Sequence, residues 1–144
     1  MGECKHRPLQ LERQRKPLSI PIASEHVTAG FPSPADDYME MGIDLNEKLI
    51  RHPSSTYFLQ VSGESMTGAG IHDGDLLVVD RSVDPRPGRV VVAVLDGAFT
   101  LKRLVRYRGR LRLEAAHPNY PALELHRCSD VQIWGVAIHV IHPL

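Results

Sequence analysis

A serine that follows a glycine by two residues, at the end of a strongly apolar stretch, is well placed to do chemistry. Val61-Ser62-Gly63-Glu64-Ser65-Met66 has this form. A tight turn there presents the Ser65 hydroxyl, and neighbouring backbone N–H groups can point at an incoming carbonyl. Most Gly-x-Ser triplets are only turns. The serine also needs a partner, because a hydroxyl is a poor nucleophile until a base takes its proton. Lys102 is a candidate base. In Phe99-Thr100-Leu101-Lys102-Arg103-Leu104, strand alternation puts Thr100, Lys102 and Leu104 on one face and Phe99, Leu101 and Arg103 on the other. A lysine in such a strand is ordinarily a surface residue whose stem covers the core. If it is partly buried, desolvation disfavours the ammonium, lowers its pKa and frees the amine to act as a base. Serine–lysine pairs are a known variant of the catalytic triad.

The eight histidines leave a Ser–His pair open on composition alone. His72 and His117, however, read as turn residues, and His139 and His142 lie near the chain end. No two histidines have the HExxH spacing of a metalloprotease, so no metal site and no cofactor is expected. Asp73-Gly74-Asp75 lacks the further oxygen ligands of a calcium loop and reads as a tight turn.

Strands must position these groups. Residues 56–61, 75–80, 89–95, 99–107, 110–115, 122–125 and 131–141 are rich in Val, Ile, Leu and aromatic residues, with Gly, Pro, Asp and Asn between them. Many short strands of this kind predict a mainly β fold of twisted, antiparallel, barrel-like sheets. One short helix is expected over residues 45–50, capped by Asp44 and ended by His52-Pro53. Residues 18–37 hold three prolines, which excludes a helix and favours an extended segment. The expected organisation is an N-terminal arm over residues 1–37 and a β domain over residues 38–144.

Composition sets the broad class. Of the 144 residues, 42% are hydrophobic, enough for a real core. Lys+Arg and Asp+Glu balance at 17 each, so no overall basic field recruits nucleic acid. Residues 1–17 carry five basic and two acidic side chains and read as a solvated tail. Cys4 and Cys128 have no CxxC partner, which fits a reducing compartment. With no secretory signal and no spanning stretch, the expectation is a cytoplasmic protein without membrane association.

Several segments together carry a family resemblance. Gly63-Glu64-Ser65-Met66, then Gly70-Ile71-His72-Asp73-Gly74-Asp75, then Phe99-Thr100-Leu101-Lys102 stand in the order and spacing of the LexA/UmuD family of self-cleaving Ser-Lys peptidases. Phe31-Pro32-Ser33-Pro34-Ala35-Asp36-Asp37-Tyr38, Ile43-Asp44-Leu45-Asn46, His52-Pro53-Ser54-Ser55-Thr56-Tyr57-Phe58 and Gly135-Val136-Ala137-Ile138-His139-Val140 are similar to UmuD-like segments. The resemblance covers about residues 20–142. It implies that Ser65 is the nucleophile and Lys102 the base, and that the scissile bond joins Ala29 to Gly30. It also implies an oxyanion held by backbone N–H groups around Glu64 and Ser65. The implied setting is the SOS response to DNA damage. There, a RecA filament on single-stranded DNA stimulates self-cleavage, and the trimmed homodimer serves a UmuC-type translesion polymerase. Residues 1–29 contain no two-helix pattern, so direct sequence-specific DNA binding is not expected. The basic residues 1–17 do not match the family pattern. Two other readings stay open. One is an interaction module that keeps the fold without the activity. The other is a signal peptidase, disfavoured by the lack of a membrane anchor.

Overall fold

The computed structural model describes residues 2–4, 9–10, 20–23, 27, 29–30, 39–125 and 130–144. Cys128, the Phe31-Pro32-Ser33-Pro34 motif and most of residues 18–37, expected to be extended, lie outside the described residues. The chain divides into two compact units. One joins Met1–Leu11 to His52–Leu144, and the other is Glu12–Arg51.

The smaller unit contains β3 (Ile20–Ala23), β4 (Met39–Ile43) and α1 (Leu45–Leu49), with β3 and β4 paired antiparallel. Asp44 caps the helix as expected, its side chain accepting from the Asn46 N–H at 3.0 Å. The helix ends one residue earlier than expected, because Ile50 takes an extended backbone.

The larger unit is one antiparallel sheet. It contains β1 (Gly2–Cys4), β2 (Leu9–Gln10), β5 (Thr56–Ser62), β6 (Leu76–Asp80), β7 (Val90–Leu95), β8 (Ala98–Tyr107), β9 (Arg110–Glu114), β10 (Leu123–Glu124) and β11 (Val131–Ile141). The spatial order is β1-β5-β6-β11-β7-β8-β9-β10, with β2 also on β5. The mainly β, antiparallel architecture is therefore present, with one short α-helix among the described residues and no closed barrel. Within residues 1–17, expected to be a solvated tail, the described residues 2–4 and 9–10 instead form β1 and β2. β1 pairs with β5 through Glu3 opposite Ser62 and Cys4 opposite Val61. On its other side it pairs with β8 through Gly2 opposite Leu101 and Glu3 opposite Thr100. The sheet thus curls, and three residues bridge its seam.

Two-residue hairpins set the register around β8. Asp96-Gly97 has φ of 50° and 79°, and Arg108-Gly109 has 51° and 77°. Positive φ at both central positions marks the turn whose twist matches its flanking strands. Leu95 then faces Ala98, and Tyr107 faces Arg110. The middle strands are apolar on both faces and build two buried clusters. One holds Leu59, Val61, Met66, Ile71, Leu77, Val79, Val92 and Leu101. The other holds Val91, Ala93, Leu104, Leu113 and Val136. The register of β11 shifts against β7 between Ile133 and Gly135, and against β6 between Ala137 and His139. Bulges of this kind bend a strand. Among the described residues no helix is long and apolar enough to cross a membrane.

Candidate active site

Ser65 lies between the end of β5 and a 3-10 turn at Thr67–Ala69. The turn over residues 72–75 fastens this strand end. The Gly63 N–H donates to Asp73 Oδ1 at 2.7 Å, the Gly74 N–H to the Val61 carbonyl at 2.8 Å, and the Val61 N–H to the Asp75 carbonyl at 2.8 Å. Gly63 has a φ of 94°, so the chain can leave the strand sharply just before Ser65. Ser65 has no exposed surface, and Met66 beside it is equally buried.

Lys102 sits in the middle of β8, opposite Val91 of β7. Alternation holds as expected: Thr100, Lys102 and Leu104 are buried on one face. Lys102 is therefore not the surface lysine that such a strand ordinarily carries; only 5% of it is exposed. Its Nζ lies 5.8 Å from the centre of the Tyr120 ring, near the outer limit of cation–π attraction. Thr100 Oγ1, two residues away on the same face, is buried and lacks a hydrogen-bond partner among the described residues.

The loop after β9 links the two candidates. The Ala116 N–H donates to Met66 Sδ at 3.3 Å, and the Ala116 carbonyl accepts from the Gly68 N–H at 2.8 Å. A Cβ on Gly68 would meet that carbonyl oxygen at 2.6 Å, so only glycine allows so close an approach. Four residues on, the same loop presents Tyr120 to Lys102. The segment flanking Ser65 and the amine of Lys102 therefore pack against one short stretch of chain. Sequence reasoning missed Ala116 and Tyr120. Gly68 was the available signal, as a glycine in a turn next to the candidate nucleophile.

Ala29 and Gly30 lie in the other unit, exposed and in a bend. Gly30 has a φ of 123° with open space around its Cα. The peptide bond between them is accessible within its own unit.

Two carboxylates, Asp80 and Asp75, are also buried. Asp80 accepts from His52 Nδ1 at 2.7 Å, Ser55 Oγ at 3.1 Å, the Ser82 N–H at 2.8 Å and Ser82 Oγ at 2.6 Å. Burial alone would raise its pKa, but the bonds from Ser82, His52 and Ser55 together outweigh this and hold it below the usual carboxylate value. Asp75 follows the same logic. Burial pushes it up, while His142 and the His72 backbone N–H, with the charge of both rings, pull it further down. The side chains of His72, Asp75 and His142 converge, which sequence reasoning did not anticipate from histidines read as turn and chain-end residues.

Comparison with known proteins agrees with this architecture. The model of the family described as Peptidase S24-like matches residues 21–138. Protein MucA of Salmonella typhimurium is 45% identical over 129 residues, covering 88% of each chain. Protein ImpA of Salmonella typhimurium is 47% identical over 122 residues, covering 85% of this chain and 83% of that protein. The LexA repressor of Halorhodospira halophila is 40% identical over 123 residues, but the match spans only 54% of that longer protein. The chain thus belongs to the S24 peptidase family, the family of LexA and UmuD.

Proposed function

We propose that this protein is a serine endopeptidase whose substrate is its own N-terminal arm. Neutral Lys102 takes the Ser65 hydroxyl proton, and Ser65 Oγ attacks the Ala29 carbonyl. Backbone N–H groups around Glu64 and Ser65 hold the oxyanion. The Gly30 amine leaves with a proton, water releases the acyl group, and residues 1–29 separate from residues 30–144. The observation that carries this reading is the burial of both side chains, Ser65 entirely and Lys102 all but 5%. Burial disfavours an ammonium and so favours the neutral amine that a base must be. The exposed, bent Ala29-Gly30 pair supplies small residues on both sides of the cut.

The family membership extends the reading to the cell. The chain serves SOS mutagenesis as the accessory subunit of a UmuC-type translesion polymerase, working as a cytoplasmic homodimer after a RecA filament on single-stranded DNA stimulates the cut. An enzyme that uses its only substrate once is a switch, and its output is a changed surface. A chain beginning at Gly30 and carrying Ser65→Ala should therefore support UmuC-dependent synthesis across a lesion in a reconstituted reaction. Full-length Ser65→Ala should not. Equal behaviour of the two would favour a module that keeps the fold and acts through binding alone.

A further inference from the structure

The turn that fastens the Ser65 strand end carries a second cluster, and nothing in the peptidase reading uses its side chains. β6 and β11 pair as far as Leu76 opposite Ile141. The next residue of each strand brings Asp75 face to face with His142. His142 Nδ1 donates to Asp75 Oδ1 at 2.5 Å. The other oxygen, Oδ2, accepts from the His72 backbone N–H at 2.8 Å, and this bond folds residue 72 back over the carboxylate. His72 Nδ1 then lies 3.8 Å from Asp75 Oδ2, and the two imidazoles lie 4.7 Å apart at 35°. One candidate ligand atom from each residue lies within 4.8 Å of the others. The carboxylate is 1% exposed and fixed by backbone, while the rings are 47% and 42% exposed and can rotate.

We propose that His72, Asp75 and His142 form a divalent transition-metal site, suited above all to Zn2+. Two imidazole nitrogens and one carboxylate oxygen are a zinc ligand set, and three protein ligands leave a fourth position for water. Tetrahedral bonds of ~2.0–2.1 Å put ligand atoms a little over 3 Å apart. The present spacings reach that by modest rotation of two exposed rings around a fixed carboxylate. Charge agrees as well, since the buried Asp75 anion is the one group of the three that cannot turn to water. A bound ion joins the end of β11 to the 72–75 turn, whose backbone fastens Val61 and whose Asp73 carboxylate holds the Gly63 N–H.

The test is titration of the chelator-stripped full chain with ZnCl2 by calorimetry, with CoCl2 as a spectroscopic probe and thermal melts alongside. The proposal expects one ion per chain and a raised melting temperature. It also expects visible cobalt bands without a thiolate-to-metal transition, which distinguishes this site from Cys4 or Cys128. His72→Ala and His142→Ala should each weaken binding by about tenfold or more, as even loss of an outer-shell partner of a ligand does. His142→Gln keeps a donor for Asp75 and so guards against misfolding; it should fold like the parent and still lose the ion. Absence of binding, a thiolate band, or undiminished affinity in the folded histidine variants would overturn the proposal.

Discussion

Two side chains carry the proposed chemistry, and the demands on them differ. Ser65 needs only a hydroxyl and a base, so Ser65→Ala should abolish self-cleavage while leaving the fold intact. Lys102 must reach its neutral form inside the protein. Arginine preserves length and charge but stays protonated at any accessible pH. Lys102→Arg should therefore be as inactive as Lys102→Ala, measured as the fraction of full-length chain cut over time. Cleavage without an activator should speed up as pH rises and then level off, as a neutral amine base requires. Retained cleavage in the arginine variant would assign the base to another residue. Type and place on or beside apolar strands made both residues candidates in the sequence, and the family resemblance supplied their proposed roles. Tyr120 was not. It reaches Lys102 from a loop held by the Gly68–Ala116 contact, and no local pattern marks such a loop.

At the scale of elements, the hairpins do most of the positioning. β7, β8 and β9 were readable because alternation and the pairs Asp96-Gly97 and Arg108-Gly109 are local signals. β1, β2 and β4 were not. β1 and β2, of three and two residues, are too short to show periodicity, and their partners are chosen by distant register: Glu3 lies opposite both Ser62 and Thr100. Asp75 and His142 escaped notice for the same reason, being 67 residues apart in the chain. The contact between the 3-10 turn and the loop after β9 gives a direct test of positioning. Gly68→Ala places a methyl group 2.6 Å from the Ala116 carbonyl oxygen. Backbone must move, at a cost of about 1–3 kcal/mol. Urea denaturation should show that loss, and cleavage should slow even though Ser65 and Lys102 are both present. An unchanged cleavage rate in a destabilised Gly68→Ala protein would remove the loop from the catalytic account.

Across the whole molecule, buried charge ties stability to acidity. The folded-state pKa of Asp80 lies below its unfolded value of about 3.9. Its contribution is therefore complete above that unfolded value and is lost as pH falls through the lower folded one. Asp80→Asn should cost about 1–3 kcal/mol at neutral pH, because it leaves donors from His52, Ser55 and Ser82 poorly matched. Its stability should also fall less steeply than the parent's below pH ~4, read from denaturant midpoints across the acid range. Acid stability, however, concerns the scaffold, whereas the central claim concerns one peptide bond. The most direct measurement is mass spectrometry of the purified full-length chain incubated with RecA, ATP and single-stranded DNA. The expected result is a single cut, a large fragment whose sequence begins Gly30-Phe31-Pro32-Ser33-Pro34, and no cut in Ser65→Ala. A fragment beginning elsewhere, or the same fragment from Ser65→Ala, would contradict it.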